Sequence, residues 1–425
     1  YGGDNRVGLT LIPPGTITNK VDLDIRAGIV NQGTEQQDFK ISIYLNNVEQ
    51  QSLLHYSTIT LPIGVSHSIK YVLNTTDKVG NNRIILRVED GKQSYEVTKK
   101  FEVIESDIRS TRLIDGAWAG IYHWSEIEGK HWNADIKQMT DAQWHEMVRS
   151  MHNIGMDVIV IQEVFRNQEY VGQHKMNVDN YPGKAFYPSE LYPDRVPIMA
   201  HDPLEAILSE ADKLGMSVMM GVGMFAWFDF SAESLEWHKQ VAKELWNKYG
   251  SHPSFYISEE CAGNLYNSEQ TYEMQLVRKK EICDFFREFK KYIKKFAPEK
   301  PIMLATNSMG VLDGADAYPA LLQNLDILCP FGFARMPKGD LTGKEAADIL
   351  QNFCDDAGAH LWFDLEAFLF NPDNSLYPHK RKRQIWQIHH RCFCLLLREL
   401  LLIILKRYFA ISIRGYLMTL RCLVE

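Results

Sequence analysis

From Val7 to about Ile104 the chain alternates apolar and polar residues in short runs, such as Val21-Asp-Leu-Asp-Ile-Arg-Ala-Gly-Ile29, Phe39-Lys-Ile-Ser-Ile-Tyr44 and Arg83-Ile-Ile-Leu-Arg-Val88. Asn46-Asn47, Asn81-Asn82 and Asp90-Gly91 punctuate them. A period of two is that of strands buried on one face, so residues 1–108 predict about seven antiparallel strands. No helix-period segment interrupts them, which gives an immunoglobulin-like or fibronectin-like β-sandwich. The expected role of this domain is a rigid spacer that packs on the next domain, ahead of a sugar-binding module.

After a polar hinge at Glu105–Arg112 the pattern changes to short apolar runs separated by long amphipathic segments. That rhythm predicts βα units. Near-continuous apolar runs mark parallel strands at Gly116–Tyr122, Val158–Glu163, Ser217–Met224, Ser254–Ser258, Ile302–Thr306, Ile327–Phe331 and Leu361–Leu365. Helices are expected at Asp141–Asn153, Pro203–Leu214, Ala232–Tyr249, Tyr272–Phe296 and Gly343–Ala357, with a short one within Asp316–Asn324. Thr140 and Asp202 open two of them, and Gly155 and Gly215 close them. Residues 109–425 therefore predict a TIM (β/α)8 barrel, whose eighth strand must come from beyond Pro378.

The segment His379–Glu425 differs in character from everything before it. It contains no Asp, Asn or Pro and carries ten Lys plus Arg against two acids, whereas residues 1–378 carry 36 against 52. Arg398, Glu399, Lys406 and Arg407 cut its apolar stretch below the roughly 20 residues that span a bilayer. A basic amphipathic anchor is one reading of it. The preferred expectation is a disrupted reading frame that has scrambled the last helix and strand.

Composition narrows the partners. A net charge of −8, with no concentrated basic face before the tail, argues against nucleic acid and for neutral or weakly charged ligands. Seven cysteines without a CxxC spacing signal neither a zinc site nor a disulfide framework. The chain opens at Tyr1 without an initiator Met or a basic-apolar leader, so a trimmed N-terminus is expected.

Two apolar runs end in carboxylates: Ser254-Phe-Tyr-Ile-Ser-Glu-Glu260 on the fourth predicted strand and His360-Leu-Trp-Phe-Asp-Leu-Glu366 on the seventh. A buried barrel strand delivers polar side chains to the mouth only at its C-terminal tip. One such acid is more often a helix cap or a solvated loop charge, but two on strands four and seven point to glycoside hydrolysis. That reaction needs one carboxyl to protonate the leaving oxygen and another to attack or activate water. Strand alternation puts Tyr256, Ser258 and Glu260 on one face and Glu259 on the other, which favours Glu260 as acid/base. Glu366, nearer the tip than Asp364, is expected to be the nucleophile, with Asp364 orienting it.

A sugar presents flat C–H faces and many hydroxyls, so aromatics and amides at the other tips are candidate binding residues: Trp124, Gln162, Trp227, Tyr256, Asn307 and Trp362. Asn307 is equally a turn former, and Trp118, Trp144 and Trp237 read as packing. His145-Glu-Met-Val-Arg-Ser-Met-His152 is not a zinc-binding HExxH, and Gly221-Val-Gly223 lacks the rest of a phosphate loop. No metal and no cofactor is expected.

Gly116-Ala-Trp118, Met156-Asp-Val-Ile-Val-Ile-Gln162, Phe255-Tyr-Ile-Ser-Glu-Glu260 and Leu361-Trp-Phe-Asp-Leu-Glu-Ala-Phe368 resemble the glycoside-hydrolase-like barrels of Bacteroides-type bacteria (DUF4434, with an appended β-rich DUF5109-type domain). The resemblance covers most of residues 1–378 and extends to the clan of (β/α)8 retaining glycosidases. It implies acid/base and nucleophile roles at Glu260 and Glu366. It also implies export, as a secreted, periplasmic or outer-membrane surface lipoprotein with a lipid anchor on the removed N-terminus. Glu259 stands where many clan members have Asn. The leading expectation is a retaining glycoside hydrolase acting on an oligo- or polysaccharide as a monomer, and the alternative is an inactive carbohydrate-binding barrel. A metal- or phosphate-dependent lyase or aldolase ranks last, because no lysine or His/Asp cluster marks the strand tips.

Overall fold

The computed structural model describes residues 5–122, 136–166, 184–223, 230–250, 253–266, 271–365, 368–370, 376–378 and 393–396. For Arg166, Glu260 and the last three of these segments it describes the backbone alone. The chain divides into two compact units, Tyr1–Thr111 with Lys291–Lys300, and Arg112–Lys290 with Pro301–Glu425.

The first unit holds eight strands: β1 (Arg6–Ile12), β2 (Gly15–Thr18), β3 (Leu23–Val30), β4 (Gln37–Leu45), β5 (Leu53–Leu61), β6 (Ser66–Leu73), β7 (Gly80–Glu89) and β8 (Ser94–Ile104). They form two sheets, β1-β3-β6 and β2-β8-β7-β4-β5. One core cluster draws on both, with Leu23, Ile25, Phe39, Ile41, Ile43, Ile84 and Leu86 wholly or almost wholly buried. About seven antiparallel strands were expected, and the difference lies at the start. Pro13-Pro14 cannot donate to a ladder, so the chain breaks after β1 and its continuation β2 joins the other sheet, parallel to β8.

Gly8 and Gly28 are register partners on β1 and β3. A Cβ on either would lie 2.2 Å from a carboxylate oxygen of Glu299, so the two glycines leave a slot that this carboxylate fills. Glu299 is 1% exposed and receives both Arg6 guanidinium nitrogens, Nη1 at 2.9 Å and Nη2 closer still. On the same sheet the buried pair Asp24 and Arg26 bond each other at 2.9 Å.

The second unit contributes β9 (Gly116–Ala119), α1 (Asp141–Asn153), β10 (Val158–Ile161), the hairpin β11 (Phe165–Arg166) and β12 (Lys184–Ala185), α2 (Pro203–Leu214), β13 (Ser217–Val222), α3 (Ala232–Tyr249) and β14 (Pro253–Cys261). There follow α4 (Tyr272–Ile293), β15 (Ile302–Thr306), α5 (Tyr318–Leu322), β16 (Ile327–Leu328), α6 (Gly343–Ala357), β17 (His360–Leu365), the hairpin β18 (Phe368–Phe370) and β19 (Leu376–Pro378), and β20 (Phe393–Leu396). Eight of these strands close a barrel in chain order, β9-β10-β13-β14-β15-β16-β17-β20, and every pair is parallel. The eighth strand lies in the compositionally odd tail and pairs with both β17 and β9.

Capping fixes the helix starts. The Thr140 and Thr342 hydroxyls accept from the backbone N–H groups of Gln143 and Glu345, whose side chains reach back in full capping boxes. Register sets the strand faces. Trp118, Val160, Met219, Gly221, Tyr256, Met303, Ile327, Trp362 and Asp364 share one face. It is the lumen face, because Trp118 and Tyr256 pack edge-on, centroids 4.9 Å apart, from strands that are not neighbours. On the other face Phe255 meets Trp246 of α3 and Phe289 of α4.

Burial alone would raise the Glu299 carboxyl, but the Arg6 charge and hydrogen bonds outweigh it and hold the group below the usual glutamate range. The stability this gives is complete above the unfolded value of about 4.3 and is lost as the pH falls through the depressed folded value. Arg6→Ala leaves a buried charge unpaired and is expected to cost the first unit about 3–5 kcal/mol at neutral pH. Thermal unfolding across a pH series checks this: the gap between wild type and R6A narrows on acidification, and a gap that holds constant would refute it.

Candidate active site

The C-terminal ends of the parallel strands carry the buried polar residues Gln162, Glu163, Ser258, Glu259, Thr306 and Asp364. Ile257 pairs with Leu304 and Glu260 with Ala305, so Ser258 and Glu259 are two extra residues on β14 with no counterpart on β15. An insertion of two preserves alternation. Position 260 therefore keeps the register face of Tyr256, and Glu259 falls on the opposite face, wholly buried. Burial, and then the neighbouring Glu259 charge, push the Cys261 thiol well up.

β14 and β17 are the fourth and seventh strands of the barrel. Asp364 stands on the lumen face of β17, 4% exposed, and its N–H donates to the Pro330 carbonyl at 3.0 Å. Gln162, just past β10, is 5% exposed, and its N–H donates to the Ala119 carbonyl at 3.0 Å. Glu163 beside it has both carboxylate oxygens buried. Asn307, half-buried at the end of β15, accepts the Met309 N–H on Oδ1 at 3.0 Å and bridges to Phe331. Its oxygen is spent on the turn, while its amide Nδ2 makes no hydrogen bond among the described residues. Trp362 and Tyr256, expected to offer ring faces, are 2% and 1% exposed. Both stand further down their strands than the acids and are enclosed by the lumen. Trp124, Trp227, Glu366 and the side chain of Glu260 lie outside the described residues.

Gly221 and Gly223 have packing reasons that sequence reasoning missed. A Cβ at Gly221 would lie 2.4 Å from the Gln162 carbonyl oxygen, 2.5 Å from that of Ile161 and 2.6 Å from Ser258 Oγ, so the end of β10 crosses where a side chain would stand. Gly223, with φ +111°, faces His238 Nε2, which a Cβ would meet at 2.7 Å. His238 is fully buried between Trp237 and Phe285, its Nδ1 2.6 Å from the Ser234 carbonyl. Burial pushes its pKa down to about 4, so it is a neutral packing group at physiological pH. The Gly-Val-Gly spacing was the available signal.

Glu244 of α3 was not singled out by sequence either. Its carboxylate accepts from Tyr187 Oη at 2.8 Å, Ser189 Oγ at 2.6 Å, Glu190 N at 3.2 Å and Leu191 N at 2.8 Å. These donors belong to the connection that follows β10 and the β11–β12 hairpin, where Phe165 packs edge-on against Tyr187, Tyr192 and Trp237. One helix carboxylate thus fixes a long loop to the barrel wall.

Among the described residues no group of three or more His, Cys, Asp or Glu could hold a metal ion, and no helix is long and apolar enough to cross a membrane.

A parallel eight-stranded barrel with buried acids at its strand ends defines the class of the second unit. Residues 114–395 match the family described as "Domain of unknown function (DUF4434)", and the chain belongs to that family. No curated protein matches it. Solved structures to which it is similar include a cycloisomaltooligosaccharide glucanotransferase from Paenibacillus (9% identity, TM-score 0.39, covering 86% of this chain and 53% of that one). Others are β-glucuronidase 2 of Bacteroides uniformis (10%, 0.42, 92% and 45%) and a GH2 β-galacturonidase of Eisenbergiella tayi (11%, 0.37, 93% and 64%). The chain spans about half the length of the first two, and none carries a residue role onto it.

Gly221→Ala is expected to destabilise the chain by about 3 kcal/mol, because backbone rather than a flexible side chain must move. Urea unfolding measures this, and a loss below about 0.5 kcal/mol would contradict the crossing of β10. Glu244→Ala leaves several donors unmet and should cost about 1.5–3 kcal/mol. Hydrogen exchange localises that effect: faster exchange at Leu191, with α4 unchanged, is the expected outcome.

Proposed function

We propose that the chain is a retaining glycoside hydrolase acting on an oligo- or polysaccharide. The observation that carries this reading is the pair of acid-bearing strand ends on strands four and seven of a closed barrel, with the two-residue step in β14 keeping position 260 on the register face of Tyr256. In this reading the Glu260 carboxyl protonates the leaving glycosidic oxygen while the Glu366 carboxylate attacks the anomeric carbon. Glu260, now ionised, takes a proton from water as that water displaces the ester and releases the sugar. Asp364 orients Glu366, Trp124 and Trp227 stack on sugar faces, and Gln162 and the Asn307 amide bond hydroxyls. The first unit is an immunoglobulin-like spacer of the DUF5109 type. The protein works as an exported monomer, in the periplasm or on the outer membrane.

A screen of aryl glycosides and of plant and host glycans, run with wild type, Glu260→Gln and Glu366→Gln, tests the roles. Turnover by wild type and a fall of about 10³-fold or more in both variants is expected, in line with the loss of a catalytic group. Equal turnover by all three rejects the assignment. Glycan binding without turnover by any would favour the carbohydrate-binding alternative. A carboxyl separation of about 5–5.5 Å accompanies retention, whereas about 6.5–9.5 Å would make the enzyme inverting.

A further inference from the structure

Register carries the lumen face past the ends of the fifth and sixth barrel strands. Met303 pairs with Ile327 and Leu304 with Leu328, and the same offset returns in the bridge between Asn307 and Phe331. Both bridge residues follow the lumen positions Met303 and Ile327 by an even step, so alternation puts them on the lumen face at the C-terminal rim. Met303 and Ile327 are buried, whereas Asn307 and Phe331 are only half-buried and solvent reaches them. An aromatic residue and an amide therefore stand side by side where the lumen opens.

Beyond Phe331 the chain turns at Gly332, φ +86°, into the 3₁₀ turn Phe333–Arg335, and the Arg335 N–H donates to the Gly332 carbonyl at 2.9 Å. This turn brings the half-buried Arg335 back to the strand end. A Cβ on Gly332 would lie 3.2 Å from Asn307 Oδ1 and 3.5 Å from Arg335 Nη2. Amide oxygen and guanidinium nitrogen are thus no further apart than those two lengths laid end to end.

The polarity of this group is one-sided. Asn307 Oδ1 accepts the Met309 N–H at 3.0 Å, and Ser308 Oγ is turned to Met336 Sδ at 3.3 Å. The remaining polar groups, Asn307 Nδ2 and the Arg335 guanidinium, only donate. A guanidinium carries five N–H donors, enough to hold a protein acceptor and a ligand group at once. A sugar hydroxyl both donates and accepts and so uses such a set incompletely. A carboxylate only accepts, and its two oxygens match the planar fork. The apolar ring of Phe331 suits the C–H face of a sugar.

We propose that Phe331, Asn307 and Arg335 form a subsite for a uronic acid residue of the glycan, with the sugar ring against Phe331, its carboxylate on Arg335 and the Asn307 amide donating to an oxygen of the same ring. The subsite rests on the reading of the barrel mouth as a glycan site, and it makes Arg335 the residue that selects the charge of the substrate. The net charge of −8 does not oppose it, because exposed charges further off than about 8 Å are largely screened at physiological salt.

Binding tests this separately from turnover. Calorimetry on the full chain would use oligosaccharides of galacturonate, glucuronate and mannuronate, each beside its carboxyl-reduced neutral counterpart, with sulfated neutral oligosaccharides as a third arm. Wild type is expected to bind at least one uronate about tenfold or more tighter than its reduced counterpart. Arg335→Gln should bring that ratio close to one. Phe331→Ala should weaken both members of the pair by a similar factor and leave the ratio in place. An unchanged thermal midpoint in Arg335→Gln shows that the lost preference is not lost folding; should the midpoint fall, Arg335→Lys, which keeps the charge without the fork, must still lower the ratio. Glycan binding with no preference for the carboxylate, or a preference that survives Arg335→Gln, overturns the subsite and spares the functional reading. A preference for sulfated glycans over uronates overturns the carboxylate assignment. No glycan bound by wild type defeats the functional reading and the subsite with it, whereas selective uronate binding without turnover upholds the subsite and favours the carbohydrate-binding alternative.

Discussion

The barrel strands are covered on both faces, by one another's side chains within the lumen and by helices outside, and this double burial governs the rest of the second unit. A strand so placed can carry polar atoms without penalty only where its ladder ends. Gln162, Glu163, Ser258, Glu259 and Asp364 all stand at or just beyond such ends, and each is buried. Below them the lumen is filled by Trp118, Tyr256 and Trp362. Buried polar residues also stand at the opposite ends, Asp115, Ser254 and Asp326 among them, while the middle of each strand is committed to packing.

The same constraint explains what could be read from the chain. Helix limits were legible because caps are local: Thr140, Asp202, Ser231 and Thr342 each bond a backbone N–H three residues on. Strand positions were legible from apolar runs, but the runs at Gly116, Val158 and Ile327 continue past their ladders, which stop at Ala119, Ile161 and Leu328. Apolar residues line the exit of a strand as well as the strand itself, so hydropathy alone does not mark where pairing stops. β20 was the hardest to place. Its segment is apolar without punctuation by Asp, Asn or Pro, and only its pairing with β17 and β9 distinguishes four residues as a strand.

Contacts between distant residues were not legible at all. Arg6 and Glu299 are 293 positions apart, and nothing near Gly8 or Gly28 announces that a carboxylate will fill the space of two missing side chains. Gly221 and Gly223 give a milder case. Their spacing is a fragment of a phosphate loop without the rest of the motif, yet neither residue is idle. One yields to the crossing end of β10, the other to a buried imidazole. A glycine required by a neighbour looks, in sequence, like a glycine required by a turn.

The assignment of the acid at 260 rather than 259 shows how narrow such reasoning can be. Alternation along β14 separates the two glutamates by face, provided that the strand does not slip. It does slip, between Ile257 and Glu260, at the place where the inference matters most. A bulge of one residue would have exchanged the two faces and put position 259 in register with the lumen. Because the step is of two residues, parity is restored, position 260 returns to the face of Tyr256, and the departure from regular pairing falls on Ser258 and Glu259. The irregularity that sets Ser258 over Gly221 is therefore the same one that the alternation argument has to cross on its way to the strand tip.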